Sequence, residues 1–481
     1  MARTPRIGIV AFAFLFLLGS VATARADDRI FVLKSSGNGF HETPDSDANR
    51  LSAHVSKSVL GDLDRVINNR YLKVLTTKNP YDYYVHGGEM KGVQYEMVRE
   101  FVGQLNRKYI KAGELKIAFE MIPVDFDQLV PMLNAGKGDL IAVGMTRTSQ
   151  RDARVNFTVP YQVADDVIVT RTELGNEPWN GKTFVVQKGS SYFEALSRSA
   201  TPVSIREVDS SMNAENMMEL VSLKNADFTL VNSYWAEKIS KRFKNLVILK
   251  DKPFRKKVAI RWAVRKKSPQ LLKELNTFIP KVRKGTLLGN TFVHKYFDDL
   301  SRLQSEEFDA ASQRISKFDE TLKKYADKFG FDWRLLAAQC LQESRFNQET
   351  MNKWGAIGLF QIKQSTADEP YIGIRAIRGG ENYDNNIHAG VKYLSWIRKS
   401  FFDGQKDLAE EERLRFMLAA YNAGPTRVQE ATAKARELGL DPKVWFRNVE
   451  LAMLELGFSE PVIYVSEINK HYVGYLLMGI K

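Results

Sequence analysis

Cysteine and histidine are scarce in this chain, which has one cysteine and six histidines among 481 residues. A single cysteine excludes an intramolecular disulfide. The spacing of the histidines and of Cys340 does not match any metal-ligand motif, so we expect no metal and no cofactor. Cys340 lies on the apolar stripe of a predicted helix, which favours a small core residue over a nucleophile.

Long hydrophobic runs are missing after the first 26 residues, so no membrane-spanning helix is predicted there. Residues 1–26 begin with two arginines, continue with an apolar run over 7–18, and end in a small-x-small sequence at 24–26. This order predicts a secretory signal peptide, with an uncleaved anchor as the alternative. We therefore expect a periplasmic protein. Because no cysteine lies just after the apolar run, attachment of a lipid is not supported. At most a peripheral contact with the outer membrane remains.

Acidic residues are fewer than basic ones, 57 against 70, which gives a net charge of +13. A basic exported chain suits an anionic polymer or an acidic membrane surface. The scattered basic residues and the signal peptide argue against a nucleic-acid partner.

Two patterns divide the rest of the chain. Residues 27–69 are polar and weakly patterned, and we interpret them as an extension with at most one helix near 55–68. From residue 72 apparent strands alternate with helical periods, which is typical of α/β sheets. From Ile315 apolar residues recur at steps of three and four, so the last part is predicted to be all-α. A hinge around 284–305 would join the two parts.

Three ordered segments of the α/β part resemble the amino-acid-type solute-binding proteins, a two-lobed fold that clamps a ligand in periplasmic transport. They are GKGDLIA at 136–142, GMTRTSQR at 144–151 and FTVPY at 157–161. The resemblance implies a domain over 70–298. Lobe 1 would comprise 70–172 and 266–298, and lobe 2 would comprise 173–265.

The same resemblance assigns Thr148 and Arg151 to the α-carboxylate of a ligand. A planar guanidinium matches a carboxylate through two hydrogen bonds; a hinge or surface ion pair is the alternative for Arg151. In lobe 2 the family usually supplies an Asp for the ligand's amino group, but Asn232 stands there. A neutral amide cannot pair with an ammonium group in the same way. Either the ligand lacks a free α-amine, or the clamp is no longer a receptor for free amino acids.

Glu343 lies where a charged carboxylate is disfavoured. Residues 332–344 read as a short helix with Asp332 as its N-cap. Glu343 falls on the same stripe as Leu336 and Cys340, at the C-terminal end of that helix. Burial and the negative end of the helix dipole both favour the protonated acid, which is what a general acid requires. The alternative is a glutamate that turns to solvent or pairs with an arginine.

Three motifs in order resemble the catalytic domain of soluble lytic transglycosylases, a lysozyme-like helical fold that cleaves peptidoglycan. They are Glu343-Ser344, the GLFQ segment at 358–361 and the AYN segment at 420–422. Phe360 stands where the family usually has Met, and Gln364 where Pro is common. The resemblance implies that Glu343 is the catalytic acid. Its implied substrate-binding residues, each with capping, turn formation or packing as the alternative, are Ser344, Gln361, Tyr421, Asn422 and Tyr464.

A clamp domain followed by a lysozyme-like domain resembles the membrane-bound lytic murein transglycosylase F family over residues 70–481. We therefore expect a multidomain protein, with a two-lobed periplasmic-binding-protein-like α/β domain and an all-α lysozyme-like domain at 299–481. The implied reaction cleaves the MurNAc-β-1,4-GlcNAc bond of glycan strands without water and leaves 1,6-anhydro-MurNAc ends. The clamp would bind a muropeptide or an amino acid and regulate cleavage. The alternative is an inactive periplasmic sensor or binding protein.

A second carboxylate with an obvious role is not found near Glu343 in the sequence. Glu349, Asp368 and Glu369 lie in polar, loop-like surroundings. The family resemblance implies a single-carboxylate mechanism, in which Glu343 serves first as acid and then as base.

Overall fold

The structure is a computed structural model and describes residues 58–298 and 314–481. The predicted signal peptide, most of the predicted N-terminal extension and the predicted boundary at residue 299 lie outside the described residues.

Twelve strands form the described part of the first domain. They are β1 (Tyr71–Thr76), β2 (Tyr84–His86), β3 (Glu89–Lys91), β4 (Ala118–Pro123), β5 (Leu140–Met145), β6 (Val155–Phe157), β7 (Gln162–Arg171), β8 (Thr183–Gln187), β9 (Ser204–Val208), β10 (Phe228–Asn232), β11 (Leu246–Leu249) and β12 (Arg255–Arg265). Ten of them form one continuous sheet in the order β4-β1-β5-β12-β7-β10-β8-β9, with β6 paired to β12 and β11 paired to β7. The predicted α/β domain is confirmed.

The helices of this domain cover the sheet and connect its parallel strands. They are α1 (Leu63–Asn69), α2 (Val93–Tyr109), α3 (Leu129–Asn134), α4 (Ser149–Asp152), α5 (Ser191–Ser197), α6 (Ala214–Ser222), α7 (Ser233–Ile239), α8 (Pro269–Val282) and α9 (Leu287–Val293). Helices are needed here because parallel neighbours such as β1 and β4 require long crossover connections.

Two long strands pass between the lobes. The first half of β12 pairs with β7, and its second half pairs with β5 and β6 of lobe 1. Residues 166–171 of β7 pair with β10 and β11 of lobe 2. The sequence prediction placed β7 in lobe 1, whereas its hydrogen bonds place it in the sheet of lobe 2. Alternation of hydrophobicity does not report which neighbour a strand chooses.

Residues 59–69 also differ from their predicted place in a separate extension. The Val59 amide donates to the Gly136 carbonyl, and Leu63 of α1 is buried against lobe 1. The Asp62 carboxylate accepts from the Gln270 and Leu271 amides, 2.8 and 2.9 Å away, at the N-terminal end of α8. This segment therefore packs on lobe 1.

The second domain is predominantly helical, as predicted, with one two-stranded ribbon of β13 (Ala356–Ile357) and β14 (Ile362–Lys363). Its helices are α10 (Asp319–Phe329), α11 (Trp333–Ser344), α12 (Gln364–Asp368), α13 (Tyr383–Ile397), α14 (Glu410–Ala423), α15 (Pro425–Glu437), α16 (Glu450–Glu455) and α17 (Ser459–Leu477). The side chain of Asp332 caps α11 by accepting from the Arg334 amide, as predicted. Within the described ranges, no helix has the length and hydropathy required to span a membrane.

Helix α17 occupies the centre of the second domain and also contacts the first. It packs against α11 and α14, and most of its residues are buried. At its C-terminal end the Met478 carbonyl accepts from the Lys78 ammonium group of lobe 1 at 3.0 Å. The helix that supports α11 is thus also the helix that meets the clamp.

Candidate active site

Glu343 lies in the last turn of α11, in partly exposed surroundings. Burial raises the pKa of Glu343 to about 8, and the charge of Glu460 acts in the same direction. A hydrogen bond from the Tyr464 hydroxyl opposes this rise in pKa. A carboxyl group with this pKa keeps its proton at neutral pH, as a general acid must.

Tyr464 and Gln339 fix the orientation of the Glu343 carboxyl group. The Tyr464 hydroxyl donates to Glu343 Oε1 at 2.5 Å. The same hydroxyl accepts from the Gln339 amide at 3.1 Å, so its only proton is directed to Glu343. Since Oε1 is an acceptor in this arrangement, the acidic proton of Glu343 belongs on Oε2.

A second carboxylate, which sequence reasoning missed, stands near the acid. Glu460 lies in the first turn of α17, one turn before Tyr464. Burial raises the pKa of Glu460, while a hydrogen bond from the Asn422 amide lowers it. The spacing of four residues between Glu460 and Tyr464 was the available signal, because it puts both on one helix face.

Ser344, Tyr421 and Gln361 hold the loop of the GLFQ segment against the helices. The Ser344 hydroxyl lies 3.1 Å from the Leu359 carbonyl and also contacts the Cys340 carbonyl of its own helix. The Tyr421 hydroxyl donates to the next loop carbonyl, that of Phe360, at 2.7 Å.

Gln361 closes the same loop with a positive φ of 45°. Its amide donates to the Gly358 and Thr350 carbonyls at 2.9 and 3.1 Å. Phe360, which replaces the usual Met, is fully buried and lies so close to Gly390 that any Cβ there would clash with its ring.

The three acids considered in the sequence lie on the surface. Glu349, Asp368 and Glu369 are all exposed. Asp368 accepts a hydrogen bond from the Gln364 amide within its own short helix. Among the described residues, no cluster of acidic, histidine or cysteine side chains has the arrangement of a metal site.

A cavity of about 200 Å³ lies between the two lobes of the first domain. Arg151 lines it, buried, and its guanidinium donates to the Thr146 carbonyl at 2.8 Å and the Gly189 carbonyl at 2.7 Å. Gly189 belongs to lobe 2, so Arg151 bridges the cleft. Burial lowers the pKa of Arg151 to about 10. Thr148 caps the helix of Arg151 by accepting from its backbone amide.

Asn232 and Asp82 face this cavity from opposite lobes. Asn232 Oδ1 accepts from the Tyr234 amide at 3.1 Å, whereas its buried Nδ2 has no hydrogen-bond partner in the described part of the chain. Asp82, which sequence reasoning missed, accepts from the amides of Asn79 and Gln94 at 2.9 and 3.1 Å. Burial raises the pKa of Asp82, and both amides lower it.

Residues 72–299 match the bacterial extracellular solute-binding proteins, family 3, and residues 320–442 match the transglycosylase SLT domain. The membrane-bound lytic murein transglycosylase F of Desulfosudis oleivorans is 28% identical over 428 residues, which span 83% of this chain and 88% of that protein. The protein of the same name from Pseudomonas fluorescens Pf-5 is 28% identical over 85% of both chains. Among solved structures, an ancestral amino-acid-binding protein matches 49% of this chain with a TM-score of 0.41 and 21% identity. The chain therefore carries these two domain families in this order, and relatives named membrane-bound lytic murein transglycosylase F align across both of them.

Proposed function

We propose that this protein cleaves the MurNAc-β-1,4-GlcNAc bond of peptidoglycan without water and leaves 1,6-anhydro-MurNAc ends. The observation that carries this proposal is Glu343, an acid whose pKa is raised to about 8 and whose Oε1 is held by Tyr464. One carboxyl group that is protonated at neutral pH can donate a proton and then accept one.

The reaction balances with this single residue. Glu343 donates its proton to the glycosidic oxygen as the bond from that oxygen to C1 of the muramyl ring breaks. The muramyl N-acetyl oxygen assists departure, as the family resemblance implies. The C6 hydroxyl oxygen then bonds to C1, and its proton passes to the Glu343 carboxylate. The enzyme returns to its protonated form and no water is consumed.

The surrounding residues support this cycle in two ways. The Tyr464 hydroxyl stabilises the carboxylate that exists between the two proton transfers, because a hydrogen bond to a charged acceptor is stronger than one to a neutral acceptor. We propose that Asn422, whose amide bonds Glu460 beside the acid, meets the glycan, whereas Tyr464 acts through its hydrogen bond to Glu343. Ser344, Gln361 and Tyr421 shape the loop that borders the acid, since their polar groups bond loop or helix carbonyls.

Digestion of murein sacculi by the purified protein, followed by mass spectrometry, tests the proposal. We expect anhydro-muropeptides from the wild type and none from Glu343→Gln. Glu349→Gln is the matched control, because this exposed acid lies six residues away and should not affect release. Products heavier by one water would indicate a hydrolase. No products from the wild type would favour the alternative of an inactive binding protein.

For the clamp, we propose a ligand that places a carboxylate at Arg151 and a hydrogen-bond acceptor at Asn232. Leaving a buried donor such as Asn232 Nδ2 unpaired costs about 1–3 kcal/mol, which a ligand carbonyl would recover. A free amino acid would instead place its ammonium group, which is itself a hydrogen-bond donor, against the donor Asn232 Nδ2. An acylated nitrogen, as in the peptide of a muropeptide, presents the required carbonyl.

Titration calorimetry with a disaccharide tripeptide, and with free amino acids as the comparison, tests the ligand class. Binding heat that is observed with the muropeptide but not with free amino acids supports the proposal. Heat with free amino acids alone contradicts it and assigns the clamp to amino-acid sensing.

We also propose that residues 1–26 are removed on export and that the mature protein is periplasmic, with a peripheral contact with the outer membrane. The names of both relatives include the word "membrane-bound". Terminal sequencing of the mature protein should begin at residue 27. A high-salt wash should release the protein from membranes; resistance to this wash would contradict a peripheral contact.

A further inference from the structure

A hairpin of the clamp domain contacts the helix that carries the proposed catalytic acid. It consists of β2, the turn Gly87-Gly88 and β3, and we refer to it as the 84–91 hairpin. Both turn glycines have positive φ, 58° and 77°, as a two-residue hairpin turn requires. The tip at Gly88 lies so close to the second domain that a Cβ there would be 2.6 Å from the Phe346 ring and 3.4 Å from Leu341.

The hairpin also contacts α17, which carries Tyr464. The Tyr475 hydroxyl donates to the Gly88 carbonyl at 2.6 Å in buried surroundings. One residue earlier, Gly474 allows Met90 of β3 to approach so closely that any Cβ would clash with it. The tip therefore meets both α11 and α17, the two helices that bring Glu343 and Tyr464 together.

The chain two residues after Glu343 is held in a costly conformation at this contact. Arg345 and Phe346 are consecutive left-handed residues, with φ of 53° and 59°. Each such non-glycine residue costs about 1–2 kcal/mol and persists only where its surroundings fix it. Here the Arg345 guanidinium donates to Glu89 at 2.6 Å, and Phe346 packs on Gly88.

The base of the 84–91 hairpin borders the clamp cavity on both sides. Tyr81 and Asp82 precede β2, Val93 and Gln94 follow β3, and all four line the cavity. The amides of Val93 and Gln94 donate to the carbonyls of Tyr81 and Asp82 at 2.8 and 3.2 Å. These four residues therefore connect the wall of the cavity to the base of the hairpin.

We propose that the 84–91 hairpin is a positioning element for Glu343, acting through the turn that follows this residue and through α17. The inference rests on the proposed lytic activity. The hairpin fixes the left-handed turn after Glu343 from one side and α17 from the other, and so sets the contact between Glu343 and Tyr464. Withdrawal of the tip would release the turn and separate the acid from its hydrogen-bond partner.

Two glycine substitutions in one turn provide a matched test. Gly88→Ala introduces a methyl group against Phe346, whereas Gly87→Ala has nothing within 4 Å and a similar positive φ. Both should lower the melting temperature because both strain the turn, and Gly88→Ala should lower it further because of its contact with Phe346. Only Gly88→Ala should reduce kcat on soluble glycan strands, on the order of 10–100-fold, with KM little changed. In Gly88→Ala the high-pH limb of the profile of kcat/KM against pH should also move to higher pH, because the hydrogen bond from Tyr464 to Glu343 is weakened. The profile of Gly87→Ala should not change.

A charge exchange supplies the second test. Glu89→Arg and Arg345→Glu should each reduce kcat, and the double variant should recover much of it. Arg70 and Glu114, a 3.0 Å surface pair within lobe 1, are the matched control, and their exchange should leave kcat unchanged.

Equal activity of Gly88→Ala and Gly87→Ala, with no loss and recovery in the charge exchange, would overturn the positioning role. An inactive wild type would instead overturn the proposed function, so the two failures are distinguishable.

Discussion

The substitution Tyr464→Phe deletes the hydroxyl oxygen and with it the hydrogen bond from Tyr464 to Glu343. This bond favours the ionised carboxylate and therefore lowers the pKa of Glu343 against the larger effect of burial. Without it the pKa of Glu343 should rise further. The acid is active while protonated, so the high-pH limb of the kcat/KM profile should move to higher pH.

The size of this shift follows from the strength of the bond. A hydrogen bond to a charged group stabilises by about 1.5–3 kcal/mol, and one pKa unit corresponds to about 1.36 kcal/mol. The expected rise is thus about one to two units from the value of about 8. Because Glu343 is partly exposed and water can replace the lost hydroxyl, we expect the lower end of this range.

The assay is the rate of anhydro-muropeptide release from soluble glycan strands between pH 5 and pH 10. The kcat/KM profile is the relevant one because it reports the groups of the free enzyme. Tyr472→Phe is the matched control on the same helix, since its hydroxyl bonds Asp332 at 3.1 Å instead. A limb that stays in place or moves to lower pH in Tyr464→Phe would refute the role assigned to this bond.

Three further predictions concern other ionisable and polar groups. Between pH 4.5 and about pH 8 Glu343 is protonated in the folded protein but ionised in the unfolded chain, so the folded state loses stability as the pH rises through this range. Glu343→Gln should therefore have a higher melting temperature than the wild type at pH 9 and the same melting temperature near pH 4.5. Burial likewise raises the pKa of Glu120 to about 7, and Glu120→Gln should raise the melting temperature at pH 8 but not near pH 4.5; equal gains at both would contradict the linkage. Asn232→Asp should let the clamp bind free amino acids in calorimetry, because a carboxylate restores a partner for an ammonium group; no gain in affinity would count against the role of Asn232.

Periodicity predicted the element types well where elements are long. The apolar steps of three and four that start at Ile315 correspond to α10, which is followed by Gly330 in the left-handed region at φ 73°. The 84–91 hairpin was missed because its strands have three residues each, which is too short for a period to be read. The Gly87-Gly88 turn was its only local signal. Strand β7 was assigned to the wrong lobe's sheet for a related reason, since register depends on partners distant in sequence.

The site shows the same limit at the level of single side chains. The apolar stripe of α11 placed Glu343 in surroundings that raise its pKa, and this could be worked out from spacing alone. Gln339, which directs the Tyr464 proton, could not, because the two residues are 125 positions apart. A motif also does not tell whether a polar group faces substrate or loop. Ser344 illustrates this, since its hydroxyl meets the Leu359 carbonyl.

The turn after Glu343 joins the acidity of the catalytic group to the contact between the domains. The last turn of α11 leaves backbone carbonyls whose partial charge disfavours an ionised Glu343. The residues that end this turn, Arg345 and Phe346, are left-handed and are held by the hairpin tip. A two-state element needs an alternative of similar free energy, and relaxation of two left-handed residues recovers about 2–4 kcal/mol. If this turn has a second conformation, a signal from the clamp would need no long pathway through the protein, because the left-handed residues begin two positions beyond Glu343.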